Sequence, residues 1–268
     1  MTRPPTALTI AGSDSGGGAG LQADLKTFLA CHVHGMSAVT AITAQNSRGV
    51  SAVYPLPGRA VAEQIVAVAS DIGVNATKTG MLANADVIDA VADVFDDVDV
   101  GPLVVDPVCA SQHGDPLLEP SAIAALLSRL FPRAVLVTPN LPEVRVLIGA
   151  SVSDVAGMRE AARRLHDLGP RWVLVKGGHL GGGSDAIDVL YDGADFRELV
   201  APRNPTAHTH GSGDTLAASI AAALARGLDL PAAVDAGKAF ITKAVDGSFA
   251  LGSGLGPVGH FWRIEKDS

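Results

Sequence analysis

Short apolar runs alternate along the chain with longer stretches in which apolar residues return every three or four positions, and most runs end in glycine, proline or a small polar cluster. Residues 7–11 read as a buried strand, followed by the loop G-S-D-S-G-G-G-A-G and an amphipathic helix over 21–32. Residues 36–44 read as one strand ending in Gln45-Asn46, and 50–56 as a second, short one. A helix over 59–70 leads to a strand and turn at 76–81, then to a helix over 86–94 and an apolar strand over 102–108 that ends in Asp106-Pro107. Further on come a helix over 120–130, a strand over 134–138, a helix opening at Asn140 to Glu143, a helix over 155–168 and a strand over 171–176. A hairpin of 186–191 and 196–201 follows, and helices over 216–226 and 232–245 close the chain. Continuous apolar strands separated by amphipathic helices predict a mainly parallel sheet buried on both faces, with right-handed crossovers. The expected fold is therefore a three-layer α/β/α arrangement, one domain over 1–268, with its ligands at the carboxyl edge of the strands.

The polar residues that interrupt this pattern carry the chemistry. In His208-Thr-His-Gly-Ser-Gly-Asp214-Thr, glycines at 211 and 213 let the backbone turn tightly at a helix start, where orphan amides attract an anion. Gly211, Ser212 and Gly213 are the candidate anion hole, with Thr209 beside it. Asp214, at the same helix start, is the candidate acceptor of a hydroxyl proton. Asp14, between serines and before three glycines, suits a loop that grips a small polar ligand through backbone groups. The loop has neither the Gly-Lys-Ser/Thr ending of a P-loop nor the spacing of a dinucleotide fingerprint.

Gln45, at a strand end, can accept from an exocyclic amino group while donating to the adjacent ring nitrogen, as amide side chains do on adenine. Asp106 lies where an open sheet collects ligand groups. Asn140 and Glu143, three apart at a helix start, either form a capping box or bring oxygens toward Mg2+. Lys176 ends an apolar strand, which is costly unless the ammonium meets an anion, and a phosphate is the expected one.

Composition narrows the partners. A formal charge of −8 without clustered Lys and Arg argues against nucleic acid. Two cysteines, Cys31 and Cys109, suit neither a disulfide framework nor a zinc site. No apolar stretch reads as a leader or a membrane span, so a cytoplasmic protein acting on a small ligand is the expectation.

The chain as a whole resembles the hydroxymethylpyrimidine and phosphomethylpyrimidine kinases of thiamine biosynthesis, within the ribokinase superfamily. The blocks that carry the likeness are G-S-D-S-G-G-G-A-G-L-Q-A-D-L-K-T-F, T-A-Q-N-S-R-G-V, T-K-T-G-M-L, T-P-N-L-P-E, V-K-G-G-H-L and T-H-G-S-G-D-T-L. The resemblance implies a ribokinase-like fold, ATP and Mg2+, and a homodimer. It also implies that Gln45 reads the aminopyrimidine ring, with Gly12, Ala19, Met81 and Val108 around it. Asn140 and Glu143 match the N-x-x-E element for magnesium and phosphate, and Lys176 matches a lysine near the phosphates. The implied reaction moves the γ-phosphoryl group of ATP to the hydroxymethyl oxygen, and then a second group to the monophosphate.

Two departures stand out. The family usually carries cysteine at the position of Asp214, where ribokinase and one group of pyridoxal kinases carry aspartate. It also usually carries methionine at Cys109, and lysine followed by serine or threonine at Gln112 and His113, in a candidate lid over 109–116. A pyridoxal kinase is therefore the alternative reading, with Asp214 leaning toward it and Gln45 away. A binding protein without turnover is a third, disfavoured by the intact Lys176 and Asp214.

Overall fold

The computed structural model describes residues 3–109, 118–178, 180 and 183–263. The candidate lid beyond Cys109, with Gln112 and His113, lies outside these residues, as do His179 and two of the three glycines at 181–183. In chain order the strands are β1 (Thr6–Ala11), β2 (His34–Val39), β3 (Ala41–Asn46), β4 (Gly49–Pro55), β5 (Ala76–Thr79), β6 (Leu103–Val105), β7 (Leu136–Val137), β8 (Val173–Lys176), β9 (Asp185–Tyr191) and β10 (Phe196–Pro202). The helices are α1 (Gly20–Ala30), α2 (Gly58–Asp71), α3 (Ala85–Asp97), α4 (Pro120–Ala125), α5 (Leu141–Ile148), α6 (Val155–His166), α7 (Ser212–Ala225) and α8 (Leu230–Asp246).

Eight strands form one sheet in the order β10-β9-β8-β7-β6-β5-β1-β2. The pairs from β2 to β8 are parallel, and β9 and β10 continue antiparallel. Alternate residues of each strand supply the two cores. Leu8, Ile10, Val105, Val137 and Val175 face the layer that includes α2, α3 and α6. Ala7, Val104, Leu136 and Leu174 face the α7 and α8 layer, where Phe28 of α1 is also packed. α7 is buried nearly all round from Thr215 to Ala223, as its alanine-rich, non-amphipathic composition requires. A Cβ on Gly237 of α8 would come within 2.5 Å of Ile220, so these two helices pack at glycine distance. Truncating the fully buried Phe28 to alanine would cost about 3–5 kcal/mol.

The expected strand over 36–44 is two strands in different sheets. β2 pairs with β1 as far as Val39, and the fully buried Thr40 then turns the chain, its hydroxyl donating to Met81 O at 2.6 Å. β3 pairs only with β4, in an antiparallel flap whose register slips between Ala44 and Gln45. Hydrophobic periodicity runs through this switch because both halves alternate, so the sequence pattern alone does not mark it. The helix expected over 120–130 is α only to Ala125 and continues as a π turn over Leu126–Leu130. α7 begins at Ser212, four residues before the expected 216.

Candidate active site

The parallel strands end beneath a cleft of about 350 Å3 lined by the glycine loop, the flap and the start of α7. Its lining includes Gly12, Asp14, Ala19, Gln45, Met81, Asp106, Val108, Asn140, Glu143, Lys176, Thr209, Gly211, Ser212, Gly213 and Asp214, every site residue singled out from the sequence. Residues separated by some 200 positions thus face one another.

Local folding explains how each arrives. Asp14 closes the glycine loop on itself, accepting from the amides of Gly16, Gly18 and Ala19 at 2.8 Å each and facing His210 Nε2 at 3.1 Å. Burial works against its charge, but the His210 contact and the amides outweigh it and hold its carboxyl below the usual range. Its side chain is 2% exposed, so it shapes the loop whose backbone groups line the cleft. The loop is stitched to the flap, with Thr43 Oγ1 donating to Ser13 O at 2.7 Å and Gln45 N donating to Ser15 Oγ at 2.8 Å.

Gly211 caps α7 in the left-handed region, at φ 76°. A Cβ there would sit 1.9 Å from Gly18 O, so both conformation and space demand glycine. The Ser212 amide donates to Thr209 O at 3.1 Å and is not free for a ligand. Among the described residues, the Gly213 and Asp214 amides then head the helix, where an anion would be favoured.

The opposite wall is charged and buried. Lys176 Nζ donates to Asp106 Oδ1 at 2.8 Å and lies 4.0 Å from Glu143, while Thr138 Oγ1 donates to the same Asp106 oxygen at 2.9 Å. The anion that Lys176 meets here is therefore Asp106. Burial opposes the charge of Lys176, yet Asp106 and Glu143 leave it raised. Burial also opposes Asp106, but Lys176 and Lys78 hold it low. Glu143 is the one left short of a cation: burial pushes its carboxyl up to about 8 despite Lys176. Asn140 and Glu143 form the capping box, with Glu143 N donating to Asn140 Oδ1 at 2.8 Å and Asn140 N donating to Glu143 Oε2 at 2.7 Å. Buried carboxylates that share one lysine and carry an unbalanced acid suit a hard divalent cation. No ready cluster of three or more metal-ligating side chains exists among the described residues.

Two features escaped the sequence reading. Beneath Asp214, Lys78 Nζ donates to both oxygens of Asp24 at 2.9 and 3.0 Å and to Asp214 Oδ1 at 3.1 Å. Lys78 and Asp24 are fully buried, and Thr9 Oγ1 donates to Asp24 at 2.6 Å. Burial lowers and the carboxylates raise the Lys78 ammonium, with the carboxylates prevailing, whereas burial drives Asp24 up to about 7. A signal existed, since Asp24 sits on the Leu21–Phe28 stripe of α1, where an apolar residue belongs. The second is a neighbouring cavity of about 230 Å3 that shares Asn140, Lys176, Thr209, Ser212 and Gly213 with the cleft. Its far wall is Ala186, Ala201, Pro202, Leu216, Ile241 and Val245. These come from the hairpin, α7 and α8, and no local motif announces them.

A mainly parallel sheet covered on both faces, with helix-start amides and a carboxylate above its carboxyl edge, is the arrangement of a ribokinase-like small-molecule kinase. The model of the phosphomethylpyrimidine kinase family matches residues 14–259, and the chain belongs to that family. It is 52% identical over 262 residues to the hydroxymethylpyrimidine/phosphomethylpyrimidine kinase of Mycobacterium tuberculosis, covering 97% of this chain and 95% of that one. Among solved structures it is similar to an ADP complex of Bacillus subtilis pyridoxal kinase, with TM-score 0.92 and 39% identity over 98% of this chain and 100% of that one. The phosphomethylpyrimidine kinase of Clostridium difficile aligns with TM-score 0.79 and 41% identity over 90% and 99% of the two chains.

Proposed function

We propose that this chain, working as a single domain, transfers the γ-phosphoryl group of ATP to the hydroxymethyl oxygen of 4-amino-5-hydroxymethyl-2-methylpyrimidine, and a second one to the resulting monophosphate, in thiamine biosynthesis. The observation that carries the reading is one cleft lined by both Gln45 and Asp214, which shares residues with a second, partly apolar cavity. Gln45 is assigned the aminopyrimidine edge, with Gly12, Ala19, Met81 and Val108 around the ring. The second cavity is assigned the adenine, whose flat apolar face suits Pro202, Leu216, Ile241 and Val245.

Between them lies the γ-phosphate. Asp214 accepts the hydroxyl proton as the oxygen attacks, and Lys78 holds that carboxylate in place from below. The amides of Gly213 and Asp214 and the Lys176 ammonium take up charge as it shifts toward the β-phosphate, which is how most phosphoryl-transfer catalysis is achieved. Glu143 and Asp106 are the residues that would hold Mg2+ through oxygen ligands and water, and the ion supplies charge neutralisation on the phosphates when bound.

A second reading, pyridoxal phosphorylation, is favoured by two observations: Asp214 in place of cysteine, and the likeness to the Bacillus subtilis pyridoxal kinase. ADP release with the hydroxymethylpyrimidine, its monophosphate, pyridoxal and ribose separates them. The pyrimidine should give the highest kcat/KM, and turnover of ribose alone would contradict both readings. We further assign the protein to the cytoplasm; no helix among the described residues is long and apolar enough to cross a membrane. We also assign it a homodimer, with Ile42 and Tyr54 of the flap exposed for contact with a second copy. Sedimentation at two protein concentrations measures that state.

A further inference from the structure

The side chain of Gln45 is not an isolated amide at the mouth of the cleft. Its Nε2 position lies 3.2 Å from His210 Nε2, and its Oε1 position lies 3.5 Å from Thr43 Oγ1. Amide oxygen and nitrogen are distinguished by their hydrogen-bond partners, and the partners here decide the matter. His210 Nε2 also faces Asp14 Oδ2 at 3.1 Å. Asp14 already accepts three backbone amides, and an ionised carboxylate has no proton to give. The proton between His210 and Asp14 therefore belongs to Nε2. A protonated nitrogen offers no lone pair to Gln45, so the Gln45 atom facing it must be the carbonyl oxygen, which shares the one Nε2 hydrogen with Asp14.

The other end agrees. The single hydroxyl proton of Thr43 goes to Ser13 O at 2.7 Å, which leaves Thr43 Oγ1 as an acceptor toward Gln45. An amide nitrogen satisfies that contact, whereas an oxygen there sets lone pair against lone pair. The chain of donors closes only with Gln45 Oε1 toward His210 and Nε2 toward Thr43. The imidazole itself has little freedom. His210 is 8% exposed, a Cβ on Gly18 would come within 2.6 Å of its Cδ2, and its backbone is bonded to Gly256 and Val258.

We propose that His210, held by Asp14, is a positioning residue that locks the order of oxygen and nitrogen in the Gln45 amide and so sets the ring chemistry the cleft accepts. The inference rests on the pyrimidine-kinase reading and deepens it. Beside its hydroxymethyl group the pyrimidine carries an amino donor next to a ring-nitrogen acceptor. Pyridoxal carries an aldehyde acceptor in place of that donor, followed by a phenolic oxygen. An amide free to turn by 180° can meet either pattern, and an amide pinned by His210 meets one. The lock would thus turn a residue that reads both rings into one that discriminates between them.

Two measurements test this. Long-range 1H–15N spectra of the imidazoles, taken without ligand, should show His210 protonated at Nε2. Protonation at Nδ1 alone would overturn the lock whatever the enzyme's substrate proves to be. In kinetics, His210→Leu should change the kcat/KM ratio of the hydroxymethylpyrimidine to pyridoxal by roughly tenfold, mainly through KM, as expected for one misdirected hydrogen bond. His210→Gln, whose NH2 has one hydrogen for Asp14 and one for Gln45, should restore the ratio. A ratio within twofold of the parent in His210→Leu, or no restoration in His210→Gln, would refute the role. A parent enzyme that prefers pyridoxal would instead count against the pyrimidine assignment, while the spectra still decide the lock.

Discussion

Lys78 offers the sharpest physical test, because it is a fully buried ammonium shared by Asp24 and Asp214. Replacing it with methionine keeps most of the side chain's volume and removes the charge. Asp24 would then keep one hydrogen bond, from Thr9, and face Asp214 with no cation between. Breaking a buried pair by deleting one partner costs about 3–5 kcal/mol, which for a chain of this size lowers Tm by on the order of 10 °C. The loss should depend on pH with a definite sign. Burial already raises Asp24 to about 7 in the folded protein, and loss of Lys78 raises it further. A raised carboxyl binds a proton in the folded state that the unfolded state has released, so stability falls as pH rises from about 4 through the folded value. Urea unfolding followed by far-UV circular dichroism at pH 5 and pH 8 should therefore show the larger deficit at pH 8. Adding Asp24→Asn to Lys78→Met should recover part of the loss by removing the orphaned charge. A single variant within about 1 kcal/mol of the parent at pH 8, or a double variant no better than the single, would refute the reasoning.

Asp214→Asn should bind the pyrimidine with little change in KM and lose kcat by roughly a hundredfold or more, in the range of a lost general base; steady-state ADP release checks it, and unchanged turnover removes Asp214 from the role. Gly211→Ala forces a Cβ toward Gly18 O at φ 76°. A loss of about 1–3 kcal/mol in thermal unfolding, with KM for ATP raised, is the expected outcome, and a neutral result contradicts the close approach. Glu143 is raised to about 8 by burial, so at pH 7 most of it is protonated, and Mg2+ must displace that proton. Calorimetry of Mg2+ binding in buffers of different ionisation enthalpy should register proton release at pH 7 that fades above pH 8, with affinity rising over the same window; binding without proton release places the ion elsewhere.

Much of the fold was legible because apolar runs and helical periodicity are local. β1, β5, β8 and the hairpin of β9 and β10 lie close to where the pattern puts them. The switch at Thr40 was not, since a strand that changes sheets keeps its alternation and is redirected by a contact to Met81, far along the chain. The site residues were legible as loop residues at strand and helix ends, but their partners were not. Asp14 reads as part of a ligand-gripping loop, but the sequence does not show that its carboxylate gathers three amides two to five residues away. Nothing in the strand and turn at 76–81 marks Lys78, which is fully buried beside the cleft against Asp24 on another element. His210 shows the same limit, since its meaning comes from Asp14 and Gln45, both more than 160 positions away.

A crystal structure of the protein with the hydroxymethylpyrimidine and a non-hydrolysable ATP analogue would show whether Asp214 and Gln45 serve one substrate. The hydroxymethyl oxygen should lie within hydrogen-bond reach of the Asp214 carboxylate, the ring edge on Gln45, and the terminal phosphate at the Gly213 and Asp214 amides. A pyrimidine bound away from Asp214, or a terminal phosphate lying outside the start of α7, would contradict this placement.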